Sequence, residues 1–346
     1  MNDAVASNEV LAQAILDAAH RAGFGTRGIE GLKRLSGGAS KETWAFDLVL
    51  SDGGRRPLVL RRQPPGRRFA TQGLDNVAME AAIVKLAATA GVPVPGVAFE
   101  MPEGSVGGDG YAMDRIEGET VGVRVLKAPE LAEARRGMAR HCGEILGRLH
   151  SLSGYEKLGL KAQGSREALA GLEARYHDTL QDRPVFDLAL RWLRENLPDE
   201  GERVLLHGDF RNGNLIVGPD GIRAVLDWEL CHIGPRAYDL AWLCVPSWRF
   251  QRPELPVGGF GQREDLIRAY ETASNVSVDR AELHAWEVFQ TMNWGVMCAG
   301  VAKAFMDGAR TIEGAIIARR ASETEFDLMR LLAPDNSIWS EVRNAG

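Results

Sequence analysis

Apolar positions change their period along the chain, and the change divides it. After an opening helical stretch, Trp44, Phe46, Leu48 and Leu50 alternate with their neighbours, residues 51–54 offer turn chemistry, and residues 58–61 resume an extended pattern. Alternation of period two on either side of a short Gly-rich turn predicts a β-hairpin. Val77, Ala81, Val84 and Ala88 then recur at i, i+4, i+7 and i+11, which predicts a helix with one apolar face, closed by Gly91 and Pro93. A further apolar stretch, residues 111–116, runs into Glu117 and Gly118. Beyond it the helical period dominates: Met138, Cys142, Ile145, Leu149 and Leu152 form one stripe, and similar patterns recur from residue 264 to 332. One strand-rich island interrupts them, with arms at 204–206, 215–217 and 222–226 and a turn at 218–221. The pattern predicts an α+β chain of two parts. Residues 1–116 hold antiparallel strands and one main helix, and residues 117–346 are mostly helical, with the connection at about 113–118.

Composition narrows the function classes. A chain of 346 residues, 45% hydrophobic, has enough apolar surface for a substantial core, and no period of repeats or low-complexity tract diverts it from a globular fold. Its net charge of −6 falls entirely in residues 117–346, which argues against a general attraction to nucleic acid or anionic lipid. No apolar run approaches the roughly 18 residues that span a bilayer, and residues 1–10 carry Asp3 and Glu9 where a secretory signal would be basic. The expectation is a cytoplasmic enzyme with no membrane or nucleic-acid partner. Cys142, Cys231, Cys244 and Cys298 are scattered without metal-site spacing and are expected to be reduced and buried.

The chemistry concentrates on the island, whose loop reads His207-Gly208-Asp209-Phe210-Arg211-Asn212-Gly213-Asn214. If Val217 opposes Ile222 across the turn, antiparallel counting places Asp227 opposite residue 212, within about two residues of Asn214. Asp209, Asn214 and Asp227 then converge at one end of a hairpin. Each alone is an ordinary turn or capping residue; together they are two carboxylates and an amide, hard oxygen groups that suit Mg²⁺ completed by substrate phosphates. Phosphoryl transfer needs a carboxylate for the nucleophile's proton and a metal for phosphate charge. Asp209 fits the first task, and Asn214 with Asp227 the second. A G-x-S-x-G elbow and a Walker loop are both absent from the sequence, which removes the corresponding hydrolase and NTPase readings.

The loop, followed by Val225-Leu226-Asp227-Trp228-Glu229 and Tyr238-Asp239-Leu240-Ala241, resembles the aminoglycoside phosphotransferase family, a branch of the protein-kinase-like fold. The resemblance implies a two-lobed molecule, Mg²⁺ and ATP as cofactors, and a small hydroxylated molecule as phosphate acceptor. It implies Asp209 as catalytic base, Asn214 and Asp227 as metal ligands, and His207 and Asp239 as structural supports of the loop. Gly37, Gly38 and Ser40 resemble the loop that covers the nucleotide, and Met113, Asp114 and Ile116 the hinge whose backbone meets adenine. Arg61 and Glu80 occupy the positions of the phosphate-clamping strand cation and its helix acid. The usual cation there is Lys, so the chain departs from the pattern, and either Arg61 or Arg62 could fill the place; strand alternation favours Arg61.

Two further features bear on the acceptor. Arg55, Arg56, Arg61, Arg62, Arg67 and Arg68 crowd one segment, either as solvated surface charge or as contacts for an anionic substrate tail. Ser247-Trp248-Arg249-Phe250 reads either as a packed aromatic pair with a surface Arg or as a subsite for an acyl chain with an anionic end. Together with D-W-E, this segment is similar to kinase-like modules joined to acyl-CoA dehydrogenases, which implies a hydroxy acid or hydroxyacyl-CoA acceptor. The alternatives are an aminoglycoside or other antibiotic as acceptor, and a pseudokinase that holds nucleotide without transferring phosphate.

Overall fold

Trp44, Phe46 and Leu48 project from one side of their strand and all three are buried, so the alternation in the sequence becomes the inner face of a sheet. A computed structural model describes residues 2–35, 41–65, 74, 76–198, 201–309 and 311–333. Helix α1 (Asn2–Arg21) is followed by strands β1 (Thr26–Arg34), β2 (Glu42–Leu50) and β3 (Arg55–Gln63), helix α2 (Val77–Thr89), and strands β4 (Val97–Met101) and β5 (Asp109–Asp114). They form one antiparallel sheet in the order β1-β2-β3-β5-β4. Leu11, Ala14, Ile15 and Ala18 of α1 cover one face, against Trp44, Phe46, Leu48, Leu58 and Leu60. On the other face Val77 and Ala81 of α2 pack against Tyr111. Asn76 caps α2 by accepting from Ala78 N at 2.8 Å; the buried stripe ends on Ala87, with Ala88 exposed.

The remaining elements are α3 (Gly122–Lys127), α4 (Ala132–His150), α5 (Ser165–Asp178), α6 (Pro184–Asn196), β6 (Arg203–Leu206), β7 (Leu215–Gly218), β8 (Gly221–Val225), β9 (His232–Pro235), α7 (Ala237–Cys244), α8 (Arg263–Ser274), α9 (Arg280–Met306), α10 (Ile312–Ala318) and α11 (Arg320–Leu332). Their core is built on α4, whose Met138, Cys142, Ile145 and Leu149 are fully buried, and the same core takes in Ile83, Val84 and Ala87 of α2. Glycine at 143 lets α4 lie close against α8, because a Cβ there would collide with the Leu266 carbonyl oxygen. Two short hairpin-like pairs, β6 with β9 and β7 with β8, carry the loop 207–214 and Asp227.

The β7–β8 register departs from simple counting. Val217 faces Ile222, but Ile216 faces Ala224 and Leu215 faces Val225, so one extra residue bulges out on β8. Counting on from Leu215 and Val225 puts Asp227 opposite Gly213 instead of residue 212, one residue nearer to Asn214. Leu226 N donates to Asn214 O at 2.8 Å and ties the two segments at that point.

Candidate active site

The loop 207–214 owes its shape to one buried carboxylate. Gly208 sits at φ +81°, where a Cβ would also collide with the Leu230 carbonyl oxygen, so the chain turns there as only glycine can without strain. The turn aims two successive amides at Asp239, at the start of α7: His207 N donates to Oδ2 at 2.7 Å and Gly208 N to Oδ1 at 2.9 Å. His150 Nε2 of α4 lies 3.2 Å from the same Oδ2. Burial alone would raise the Asp239 pKa, but the hydrogen bond and charge of His150, together with His207, outweigh it and hold the carboxyl below its ordinary value. His207 itself is fully buried; Asp209 N donates to its Nδ1 at 3.1 Å and its Nε2 lies 3.0 Å from Leu226 O, which assigns the ring proton to Nε2.

Asp209 projects from this turn with donors on both oxygens. Its Oδ1 accepts from Trp242 Nε1 at 2.6 Å and Arg211 Nε at 2.9 Å, and its Oδ2 accepts from Asn214 Nδ2 at 2.6 Å. Asn214 Nδ2 also donates to Asp209 O at 2.9 Å, so the amide nitrogen is committed to Asp209 and the side-chain oxygen is its remaining polar atom. Asp227 follows β8 in a left-handed conformation, φ 67° and ψ 62°, which is uncommon for a residue with a side chain and concentrates at functional sites. About a third of its side chain remains exposed, at 34%.

Across from this loop stands Arg61 of β3. Its NH2 donates to Asp227 Oδ1 at 2.6 Å and to Glu229 Oε2 at 2.9 Å, and its Nε lies 2.6 Å from Glu80 Oε1. Burial would lower the Arg61 pKa, but Glu80 and Asp227, with Tyr111 and Glu229, outweigh it and raise it. Tyr111 also donates to Glu80 Oε1 at 3.1 Å, and burial beside Glu80 pushes its phenol well above the ordinary range. Arg62, on the opposite face of β3, donates to Glu42 at 2.7 and 3.0 Å and to Gly107 O at 2.6 Å. Both arginines are buried, so neither is a solvated surface charge.

Asp209 with Asn214, and Arg61 with Asp227 and Glu80, thus form two bonded groups where the sheet meets the helical part, tied by the backbone bond from Leu226 N to Asn214 O. Met113 pairs with Val59 and Val97 in the sheet, Asp114 accepts from Arg56 at 2.9 Å, and Ile116 lies between β5 and Glu119, whose backbone pairs with Val217. Gly37, Gly38 and Ser40 lie outside the described residues, as do Arg67 and Arg68. Among the described residues no group of three or more His, Cys, Asp or Glu side chains is arranged to hold a metal ion. One carboxylate and one amide oxygen, Asp227 and Asn214, nevertheless fit Mg²⁺, a hard cation that takes few protein ligands and fills its shell with phosphates and water.

Of the two acceptor features read from the sequence, one needs correction throughout and the other in part. Arg249 is only 4% exposed; its NH2 donates to Glu287 Oε1 and to Cys244 O, and Arg263 binds the same Glu287, so the guanidinium is used up inside the core. Trp248 packs against Trp242 and Trp294. The segment is therefore no subsite for an anionic end, because a buried Glu on α9 claims the charge. In the arginine cluster, Arg55 is exposed beside Glu30 and Arg56 half-buried beside Asp114, as solvated surface charge requires, whereas Arg61 and Arg62 are buried and paired as above.

Sequence reasoning gave no site role to Tyr111, His150, Glu229, Trp242 or Lys41, whose Nζ donates to Glu80 Oε2 at 2.8 Å. Glu229 was visible two residues after Asp227 in D-W-E. Trp242 lies one helical turn after Asp239, a spacing that places both on one side of α7. Lys41 had no signal beyond its place after the glycine-containing stretch.

Residues 31–276 match the phosphotransferase enzyme family. A human protein named acyl-CoA dehydrogenase family member 11 is 30% identical over 301 residues, 82% of this chain, and the chain spans 37% of that relative's length. A solved structure described as a putative aminoglycoside phosphotransferase from Ralstonia eutropha superposes with a TM-score of 0.68 at 19% identity, covering 97% of this chain and 98% of that one. Aminoglycoside phosphotransferase APH(4)-Ia, solved as a thermostable mutant with AMP-PNP and hygromycin B, gives a TM-score of 0.58 at 20% identity over 89% of this chain and 95% of its own. These likenesses show a kinase-like fold.

Proposed function

The chain belongs to the phosphotransferase enzyme family, and from that premise we propose that it is an ATP-dependent small-molecule kinase of the cytoplasm that phosphorylates the hydroxyl of a hydroxy acid or hydroxyacyl-CoA thioester. The observation that carries the kinase reading is the meeting of Asp209, Asn214 and Asp227 with a buried arginine at the seam of the two parts. In this reading residues 1–116 hold the nucleotide, with Gly37, Gly38 and Ser40 over the phosphates and the backbone of Met113, Asp114 and Ile116 at the adenine; residues 117–346 hold the acceptor.

Asp209 is the proton acceptor. Its Oδ1 already receives two donors and its Oδ2 one, so Oδ2 keeps the lone pair that can meet the acceptor hydroxyl. As the hydroxyl oxygen bonds to the γ-phosphorus and the bond to ADP breaks, that proton passes to Oδ2. Trp242 and Arg211 keep the carboxylate turned toward this position. Asn214 Oδ1 and Asp227 are the groups that would hold Mg²⁺, whose chemistry there is to neutralise phosphate charge. Arg61, steadied by Glu80, faces the phosphates, and Asp239 with His207 fixes the turn that carries Asp209.

The hydroxyacyl acceptor is supported by the relatives named for acyl-CoA chemistry, which are longer than this chain and match it over most of its length. The experiment is a panel of hydroxy acids, hydroxyacyl-CoA thioesters and aminoglycosides incubated with Mg·ATP and read by mass. A gain of one phosphoryl group on a hydroxyacyl species is expected. Phosphorylation of aminoglycosides with hydroxyacyl-CoA inert would overturn the acceptor and leave the kinase; nucleotide binding with no transfer to any hydroxyl would favour a pseudokinase.

A further inference from the structure

Arg211 stands two residues after Asp209 in the same loop and bonds to it through one nitrogen. Its Nε donates to Asp209 Oδ1 at 2.9 Å, and its guanidinium carbon lies over the Trp248 ring, 4.8 Å from the centroid, which helps to hold the fork in place. Trp248 is itself packed between Trp242 and Trp294, at centroid distances of 5.2 and 4.9 Å. NH1 fills the space left by Gly213, since a Cβ there would come within 2.7 Å of it. The hydrogen-bond contact of NH1 is a long one, 3.5 Å to Asn212 O, and NH2 has no partner among the described residues. The side chain keeps 28% of its surface exposed, so solvent reaches it. A guanidinium presents five N–H groups in a rigid fork, and in Arg211 the edge formed by NH1 and NH2 is oriented and nearly unused.

We propose that Arg211 determines acceptor specificity: its NH1–NH2 edge takes the carboxylate of a free hydroxy acid whose hydroxyl meets Asp209 Oδ2. The inference rests on the kinase reading above and narrows its acceptor to the acid in place of the thioester. The two oxygens of Asp209 have different surroundings. Oδ2 is bonded to Asn214, on the side of the assigned metal ligands, whereas Oδ1 is bonded to Arg211 and Trp242, on the side of the tryptophans of the helical part. A group reached by Arg211 therefore lies on the acceptor side of the base, and the phosphates have their own cation in Arg61, across the seam. An anion brought close to Asp209 would be repelled unless a cation stood between them; Arg211 stands there already, bonded to Asp209 through Nε and free at its far end. That end matches a carboxylate, which a guanidinium holds by two parallel bonds. A thioester carries no charge at this place and gains no ion pair, and a polyamine would bring like charge to the fork. Because Nε and the terminal nitrogens belong to one planar group, hydroxyl and carboxylate must be few bonds apart, as in a short hydroxy acid.

The test is steady-state kinetics of the full chain with Mg·ATP on lactate, 3-hydroxybutanoate, 4-hydroxybutanoate and 5-hydroxypentanoate, each beside its neutral amide and its CoA thioester, for wild type, Arg211→Met and Arg211→Lys. The wild type is expected to use one of these acids with a kcat/KM about tenfold or more above that of its amide. Arg211→Met should lower kcat on acid and amide by a common factor, through the lost bond to Asp209. It should in addition raise KM for the acid by about tenfold to a hundredfold while KM for the amide stays within about threefold, so that the preference disappears. An arginine that touched only the transferred phosphate, or only steadied Asp209, would lower both substrates alike and keep the preference; that result overturns the assignment. So does a wild type that uses an acid and its amide equally, or one that uses thioesters with every acid inert. Thermal melts check folding. If Arg211→Met does not fold, Arg211→Lys decides: the preference should fall by about tenfold, because one ammonium cannot hold Asp209 and a bidentate carboxylate together, and an unchanged preference refutes the role. Transfer to aminoglycosides alone overturns this inference and leaves the kinase. Transfer to none of these compounds, nor to any member of the panel above, sinks the kinase reading and this inference with it.

Discussion

Asp209 differs from Glu80, Asp227 and Glu229 in carrying donors on both oxygens without being a partner of Arg61. Asp209→Asn keeps the shape and the bonds to Oδ1, and replaces Oδ2, with its bond from Asn214 Nδ2, by an amide nitrogen that cannot accept a proton. Turnover should fall by about 10² to 10⁴ with the melting temperature nearly unchanged, measured by steady-state kinetics on the acceptor found in the panel and by thermal melts. Near-normal turnover would take Asp209 out of the base role. A different residue governs pH. Burial pushes the Asp327 carboxyl up to about 6 against Arg249, Arg330 and Arg320. Its ordinary value is 3.8, so between these values the folded chain binds the proton more tightly than the unfolded chain does. Its contribution is fullest below the lower value and is lost as pH rises through the upper one. Asp327→Asn should therefore stabilise the fold by about 1 kcal/mol at pH 8 and by less at pH 5, read from urea melts, the figure allowing for partial exposure. An equal effect at the two pH values would disprove the shift.

Between elements, the α4–α8 contact shows what one missing side chain permits. Gly143 brings the α4 backbone against Leu266 and Ala269, and its neighbour Gly147 does the same against Tyr270 and Ala273. Gly143→Val should destabilise by about 1–3 kcal/mol, because neither helix can withdraw from a close-packed core without opening voids elsewhere. Differential scanning calorimetry would check it, and a loss below a few tenths would mean that α8 moves freely. The helical stripes and the β2–β3 hairpin were legible in the sequence because burial on one face imposes a period. β4 gave no such signal: in its five residues only Phe99 and Met101 are buried, at the sheet's edge. The bulge on β8 was equally hidden, since one extra residue in a ladder leaves the apolar character of both arms unchanged.

For the whole molecule, the Arg61–Asp227 pair is a bond between the sheet and the helical part, so ligands at the seam should act on global stability. Mg·ATP at about a hundred times its Kd should stabilise by about 2.7 kcal/mol, and chelation of Mg²⁺ should remove much of that gain. Asp227→Ala should lose the Mg²⁺-dependent part more completely than Asn214→Ala, since a charged ligand holds the ion more strongly than an amide. Thermal shift with and without EDTA measures both; equal or reversed losses would count against these two as the metal ligands. The amino-acid sequence by itself determined the β2–β3 hairpin, the stripes of α2 and α4 and the grouping of Asp209 and Asn214 in one turn, because periodicity and short-range spacing are local properties of the chain. It also identified the resemblance to the phosphotransferases through that loop and D-W-E. Only the tertiary structure decided how charges are matched: that Arg249 belongs to Glu287, Arg62 to Glu42, and that Lys41 joins Arg61 over Glu80 and Glu229. Those partners lie from 19 to 188 residues apart in the chain. A cation in a sequence gives no sign of which distant carboxylate will be buried beside it, because that pairing is set by packing and by the loss of water, neither of which a local pattern contains.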